Sequence, residues 1–420
     1  MEVYVGLDVS LKETSICVVD GSGKIVSEGT VLSEPLALAA FLRAQAGNAK
    51  RIGLETGPTT TWLWHELRTL GLPVICIDAR HAKAALSLQI NKSDRNDAVG
   101  RARIMQCGWY KEVQVKSLPC HEVRAVLNSR AQLVKIARDL ENQIRGLLKN
   151  HGLVIGKVGG NIFRHWAEEL VGEHRPLREA VRPLLAVRDA VRREIADLTR
   201  KLLALARNND ASRRLMTVPG IGPINALAFC AAIDEPSRFR RSRSVGAYFG
   251  LTPRRYASGE VDWTGGISKY GDAMVRTYLF EAAGVLLTRV PQWCKLKAWG
   301  HRLWKRIGFK KAKIAVARKL AVILHRMWRD EPTSSGQPGR LWLEKQRLRS
   351  PRERTRCPCR DGGVGEIDPG FAKLHRGKRD LHIDPPTSSN AIMQRAPAPT
   401  AERTVSPAGH HGELDIQSPS

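Results

Sequence analysis

Short apolar runs separated by turn residues open the chain and predict β-strands. They lie at residues 3–8 and 15–20 and, after a Gly-Ser-Gly turn, at 24–26. Apolar residues at helical spacing then alternate with further apolar runs. A hairpin start followed by β-α-β units predicts an α/β domain over residues 1–115, in which helices flank a mixed sheet.

A seven-residue apolar repeat marks the next region and predicts two long helices, at residues 121–149 and 176–206. Sustained heptads favour a coiled-coil hairpin, or a pair of helices that dimerises, within a middle region at 116–210. Two core helices of an ordinary bundle are the alternative. Arg130 and Arg188 fall on the apolar seam, which weakens a continuous zipper. The repeat consists of Val126, Leu133, Leu140 and Leu147, and then of Leu177, Leu184, Val191, Leu198 and Leu205.

Residues 211–330 read as a mainly helical domain with a glycine-rich middle and a basic helix near its end. Residues 331–420 differ, because they hold 11 of the 22 prolines and no lasting apolar period. Sparse apolar residues cannot offset the entropy cost of ordering a chain, so this segment is expected to be a disordered tail.

Positive charge is the first functional indication. The chain has 68 Lys and Arg against 41 Asp and Glu, a net charge of +27, to which the tail contributes only +3. Such an excess favours a polyanionic partner, most often nucleic acid. No apolar run reaches the roughly 20 residues of a membrane span. The N-terminal pattern is not that of a signal peptide and the cysteines are scattered, so we expect a cytoplasmic, nucleoid-associated protein without membrane partners.

Four acidic residues are candidate metal ligands. Asp8 and Glu55 end predicted strands, whereas Asp94 and Asp97 stand three residues apart, on one face of a helix. Carboxylate oxygens are preferred by hard divalent cations, and paired cations of this kind catalyse phosphodiester cleavage. The alternative is that these acids merely cap strands and a helix.

The sequence around these acids resembles the insertion-sequence 110 family of transposases. The blocks that carry the resemblance are residues 4–10 (YVGLDVS), 53–57 (GLETG) and 92–98 (KSDRNDA), in the family's order and spacing. The resemblance implies a DEDD domain of RNase H-like, Holliday-junction-resolvase-like fold and a separate C-terminal transposase domain. It implies that Asp8, Glu55, Asp94 and Asp97 form a catalytic tetrad that binds Mg²⁺ or Mn²⁺.

The C-terminal domain contains two further motifs. Residues 215–223 (LMTVPGIGP), followed by a helix, are typical of a helix-hairpin-helix, in which Gly220 and Gly222 turn backbone amides toward a phosphate. A helix-turn-helix connection without DNA contact is the alternative. Residues 248–259 and 265–272 are similar to the family's second signature, which implies a serine nucleophile. We assign it to Ser258, with Ser268 in reserve; the alternative is a serine that only makes a turn.

Basic residues around these motifs are predicted to bind nucleic acid. A basic helix with one apolar stripe suits a phosphate backbone, although a solvated basic face is the alternative. With the two turn glycines, the predicted contacts are Gly220, Gly222, Arg240, Arg241, Arg254, Arg255, Lys269, Lys310, Lys311 and Lys313.

We therefore expect a transposase, or site-specific recombinase, that cuts and rejoins DNA at element ends and target. The resemblance implies guidance by an element-encoded noncoding RNA and a homo-oligomer, with dimers that form a synaptic tetramer. A stand-alone metal-dependent junction nuclease would need the four acids but not Ser258. A catalytically inactive nucleic-acid-binding protein would need neither.

Overall fold

The computed structural model describes residues 2–87 and 91–330, and the predicted tail at 331–420 lies outside them. The described chain contains a sheet with flanking helices, a pair of long helices and a mainly helical C-terminal part. Within these two ranges, no helix is both long enough and apolar enough to cross a membrane.

A five-stranded mixed sheet forms the N-terminal part, as predicted. Its order is β3-β2-β1-β4-β5, in which β1 pairs antiparallel with β2 and parallel with β4. The parallel pairing continues from β4 to β5. The two strands that carry Asp8 and Glu55 at their carboxyl ends are therefore neighbours in the sheet. The strands are β1 (Val3–Val9), β2 (Glu13–Asp20), β3 (Ile25–Leu32), β4 (Ala49–Glu55) and β5 (Val74–Ile77).

Helices cover both faces of this sheet. Leucines of α1 and α2 pack on one face in a cluster with Val5 and Leu7, and α4 packs on the other with Tyr4 and Cys17. The helices are α1 (Pro35–Ala46), α2 (Thr60–Thr69), α3 (Ala79–Leu86) and α4 (Asp94–Cys107).

Two paired glycines let α4 lie directly on the sheet. Gly6 of β1 and Gly53 of β4 are register partners. A Cβ on Gly6 would collide with the backbone of Ala98 and Ala102 in α4, and a Cβ on Gly53 would lie 2.6 Å from Cγ of Met105. Only glycine leaves room for this approach. The same packing holds the first turn of α4 beside the ends of β1 and β4.

We therefore expect Gly6→Ala to destabilise the N-terminal part. The added methyl meets backbone, which cannot move aside as a flexible side chain does, so the free energy of unfolding should fall by about 1–3 kcal/mol or more. Gly21→Ala is the matched control: a Cβ there meets no atom within 4 Å. Chemical denaturation of both variants measures the difference, and equal stabilities would refute the packing role.

Two long antiparallel helices follow, as the heptads predict. Arg130 donates to Thr199 and Arg188 donates to Glu141, so positions rise along one helix as they fall along the other. Of the predicted seam residues, Leu177 is buried, whereas Leu133 and Leu140 are only half-buried. Coiled-coil geometry and dimerisation stay predictions. The helices are α5 (Leu118–Asn150) and α7 (Arg175–Asn208), with the shorter α6 (Ile162–Val171) between them.

The C-terminal part is organised around one helix that is apolar over most of its length. All residues from 226 to 233 in α9 are buried, and α5, α7 and α11 pack around it. A two-stranded hairpin, β6–β7, leaves this helical body. The elements are α8 (Asp210–Leu215), α9 (Pro223–Ile233), a 3₁₀ turn (Pro236–Arg238), α10 (Ser244–Tyr248), β6 (Pro253–Ser258), β7 (Val261–Ile267), α11 (Ala273–Thr288), α12 (Lys295–Ile307) and α13 (Phe309–Arg329).

Candidate active site

The four predicted acids line one cavity of about 570 Å³ in the N-terminal part. Asp8, Glu55, Asp94 and Asp97 all contribute to its wall. Three cationic residues, Lys83, Lys92 and Arg101, line it as well. The sequence blocks that are far apart along the chain therefore meet at one place on the molecule.

Local structure explains how each acid arrives there. Leu7 of β1 pairs with Leu54 of β4, so the next residues, Asp8 and Glu55, follow side by side at the carboxyl ends of parallel strands. Asp94 and Asp97 lie in the first turn of α4, where the helix dipole favours negative charge. Ser93 begins that helix, since its hydroxyl accepts a hydrogen bond from the Asn96 amide at 3.2 Å.

The burial of Asp8 and its acidic neighbours disfavour the ionised form of its carboxyl group. Burial raises the pKa of the Asp8 carboxyl above its ordinary value, and repulsion from Asp94 and Asp97 raises it further. Attraction to Arg101 opposes this rise. A half-buried carboxylate that is repelled by two neighbouring acids is stabilised by a nearby cation, and the guanidinium of Arg101 supplies one here.

Arg101 of α4 bridges two of the four acids. Its Nη1 lies 2.8 Å from Asp8 Oδ1 in an ion pair, and its Nη2 donates a hydrogen bond of 2.8 Å to Glu55 Oε2. The residue is only 5% exposed. The direction of its N–H bonds leaves Nε and Nη1 without a hydrogen-bond acceptor in the described chain. Sequence reasoning missed this arginine, because its two partners are distant along the chain.

The donor chemistry of the cavity fits a divalent cation such as Mg²⁺ or Mn²⁺. All four candidate ligands are carboxylates, the ligands that such hard cations prefer. The side chains of these ligands do not converge on one point. Throughout residues 2–87 and 91–330, no three His, Cys, Asp or Glu side chains come close enough together to hold a metal ion. The guanidinium of Arg101 stands at Asp8 and Glu55 instead.

Ser258 lies elsewhere, at the tip of the β6–β7 hairpin. It is the last residue of β6, pairs with Val261, and is followed by Gly259 in a left-handed conformation with φ of 54°. Every residue of β6 is exposed. Ser258 does not line the acidic cavity, and no residue of the described chain hydrogen-bonds with its side chain. Ser258 is therefore exposed, with no hydrogen-bond partner to its hydroxyl in the described chain.

The cations predicted to assist Ser258 differ in their availability. Arg255 is paired with Asp262, at 2.8 and 2.6 Å, on the exposed hairpin. Arg254 is exposed and contacts the carbonyl of Ser268 at 3.4 Å. Ser268 is half-buried and its amide donates to Thr252. Lys269 is exposed and takes a left-handed φ of 58°, which strains a residue with a Cβ.

The remaining predicted nucleic-acid contacts divide by exposure. Arg240, Arg241, Lys310 and Lys311 are exposed, whereas Lys313 is buried with its Nζ 3.8 Å from the centre of the Phe280 ring. The two turn glycines are half-buried. A Cβ on Gly220 would lie 2.8 Å from the Ala282 carbonyl, so this glycine has a packing role in the turn before α9.

Two exposed aromatic residues and a second cavity were not predicted. Tyr256 and Trp263 face each other across the hairpin in a stacked arrangement, with ring centres 6.1 Å apart, and both are more than half exposed. A cavity of about 850 Å³ lies at the base of the hairpin. Four cations and the indole of Trp299 contribute to its wall; the cations are Arg243, Lys311, Arg318 and Lys319. In the sequence, the alternation of aromatic and basic residues along the hairpin is the signal that could have predicted this surface.

Comparison with known proteins adds independent findings. Residues 5–152 match a family model for DEDD-type transposases, and residues 212–298 match the model described as "Transposase IS116/IS110/IS902 family". The transposase for insertion sequence element IS1111A of Coxiella burnetii is 30% identical over 329 residues, covering 76% of this chain and 87% of the relative. A probable family 20 transposase of Pseudomonas aeruginosa is 29% identical over 279 residues, covering 65% and 82%.

Proposed function

Because this chain belongs to the IS110 family of transposases and is a DNA transposase, we propose that it cuts and rejoins DNA with an acidic metal site and a serine nucleophile. One observation carries this proposal: the four carboxylates of three separate sequence blocks line a single cavity. A DEDD transposase domain implies dependence on a divalent metal. In this chain the ligands would be Asp8, Glu55, Asp94 and Asp97.

The acidic cavity also contains groups suited to a DNA phosphate. A bound divalent cation supplies Lewis-acid stabilisation of the charge that develops on the phosphate. The four carboxylates would hold it by their negative charge, and the first turn of α4 presents two of them together. Lys83 and Lys92 line the same cavity and would bind the nucleic-acid backbone beside the acids.

Ser258 is the proposed nucleophile. Its Oγ attacks phosphorus, a phosphoserine ester bond forms, and the bond from phosphorus to the leaving deoxyribose oxygen breaks. The serine proton passes to a base and the leaving oxygen takes up a proton. Since one phosphodiester replaces another, the strand can be rejoined by reversal with a different deoxyribose hydroxyl. Two carboxylates lie near Ser258 on the hairpin, but Asp262 is paired with Arg255 and Glu260, in the turn, makes no hydrogen bond to Ser258. We therefore propose a carboxylate of the acidic cavity as the acceptor.

The hairpin and its base form the proposed nucleic-acid surface. Tyr256 and Trp263 present exposed rings on which unpaired bases stack, and Arg254 adds an exposed charge nearby. Arg240, Arg241, Lys269, Lys310 and Lys311 extend this basic surface, from which we leave out the buried Lys313. We propose that its partners are element and target DNA and a guide-like noncoding RNA, and that the protein assembles as dimers into a tetramer.

A strand-exchange assay tests this function. Full-length protein is incubated with plasmids carrying element ends and target, with and without RNA transcribed from the element, in Mg²⁺ or in EDTA. Recombinant junctions should form only when both RNA and Mg²⁺ are present. Junctions that form without RNA would remove the guide from the proposal. Nicked or linear DNA without joined junctions would favour the junction nuclease instead.

A further inference from the structure

We propose that Arg101 is a built-in counter-ion that competes with a divalent cation for Asp8 and Glu55. This inference rests on the proposed metal site and adds a property of that site: the chain binds the metal only by drawing two of its four carboxylates away from a buried guanidinium. Arg101 therefore weakens the affinity of the site for the metal.

The geometry of the bridge supports competition. One guanidinium reaches across two neighbouring strands and contacts an oxygen of Asp8 and an oxygen of Glu55, each at 2.8 Å. The arginine side chain is 6% exposed, against 18% for Asp8 and 31% for Glu55. The positive charge of Arg101 neutralises part of the negative charge of the acids, which would otherwise attract a metal ion. Arg101 and a bound metal ion would therefore compete for the same two carboxylates.

Arg101 also divides the tetrad into two pairs. Asp8 and Glu55 are tied to the arginine, whereas Asp94 and Asp97 have no ion pair with it. This division agrees with the finding that no three acids of the described chain are gathered closely enough to hold a metal ion.

A second buried arginine, Arg188, has more partners than Arg101. Arg188, between α5 and α7, donates to Glu141 and Asp189 and to the Gly160 carbonyl, and it lies over the Phe163 ring. Within the described residues, Arg101 has only its two carboxylates as partners. Arg188 is anchored as part of a packed interface. The bonds of Arg101 are all to the groups that would bind the metal.

Direct measurement of metal binding tests the inference. Full-length wild type, Arg101→Met and Arg101→Lys are titrated with Mn²⁺, and free Mn²⁺ is followed by its electron paramagnetic resonance signal. Arg101→Met keeps the length of the side chain and removes its charge, so it should bind Mn²⁺ at least about tenfold more tightly. Arg101→Lys, which keeps the charge but lacks the fork that spans both acids, should tighten binding less.

The matched control is Arg51→Met. Arg51 lies in β4 and donates to the carbonyl of Met105, so this change removes one charge from the same sheet without touching the acids. Its Mn²⁺ affinity should equal that of wild type. Unchanged or weaker binding by Arg101→Met would overturn the inference, because the arginine would then orient the ligands instead of competing with the metal.

Two further outcomes separate this inference from the proposed function. If no form of the protein binds Mn²⁺, the metal site itself fails and the inference fails with it. If all forms bind equally, the metal site stands and only the role of Arg101 is lost. Should Arg101→Met fold only when Mn²⁺ is added, its metal-dependent melting transition supports competition. Should it fail to fold in either condition, unchanged affinity of Arg101→Lys is the overturning result.

Discussion

Asp8→Asn is expected to abolish DNA breakage while leaving nucleic-acid binding close to normal. The substitution keeps the shape of the side chain and removes its negative charge, which burial and two neighbouring acids disfavour. Since metal ions contribute several kcal/mol to such reactions and each 1.4 kcal/mol is a factor of ten, the breakage rate should fall by about a thousandfold. The proposed nucleic-acid surface lies on other residues and should be unaffected.

The measurement pairs a plasmid cleavage assay with a binding titration on the same DNA. Asp139→Asn, on the exposed face of α5, is the control for loss of one negative charge, and it should cleave like wild type. Full strand exchange by Asp8→Asn would show that the acidic cavity is not the site of chemistry. A parallel loss of binding and cleavage would show that Asp8 supports structure rather than catalysis.

Ser258→Ala has the second largest expected effect: loss of every covalent protein–DNA product and of recombination. Removal of one oxygen from an exposed hairpin tip disturbs no packing, because the side chain of Ser258 makes no hydrogen bond in the described chain. Protein stability and DNA affinity should therefore stay within about 0.5 kcal/mol of wild type. An uncatalysed background is all that should remain of the joining reaction.

Ser268→Ala is the matched variant, since Ser268 is the reserve candidate in the same part of the chain. The contact with Arg254 and the pairing with Thr252 both use the backbone of Ser268, so its hydroxyl can be removed without breaking either. Ser268→Ala should recombine normally. Activity of Ser258→Ala together with inactivity of Ser268→Ala would move the nucleophile ten residues along the chain.

The placement of the acids could be predicted from the sequence because it depends on local pattern. Strand ends and an i,i+3 spacing are visible over a few residues, and they place Asp8, Glu55, Asp94 and Asp97 correctly on their elements. The bridge made by Arg101 depends on the packing of α4 across β1 and β4. That packing depends on Gly6 and Gly53, each of which lies two residues before an acid. The sequence shows these two glycines, but it does not show that a helix packs against them.

The C-terminal part shows the same limit. The apolar stripe predicted for the last helix is largely confirmed, since Ala317, Ala321 and Leu324 are buried. Lys313 turns inward all the same, because its long side chain runs over Gly284 to the Phe280 ring. A lysine that buries its charge beside an aromatic ring looks the same in sequence as a solvated one.

The claim that this transposase joins DNA through Ser258 is tested most directly by trapping the reaction in denaturant and identifying the peptide that carries DNA. Wild type in Mg²⁺, with element and target DNA and the element RNA, should yield one DNA-linked peptide, modified at Ser258. That adduct should be missing from Ser258→Ala and from Asp8→Asn. Cleaved DNA with no linked peptide on Ser258 or Ser268 would contradict the account and leave a hydrolytic nuclease in its place.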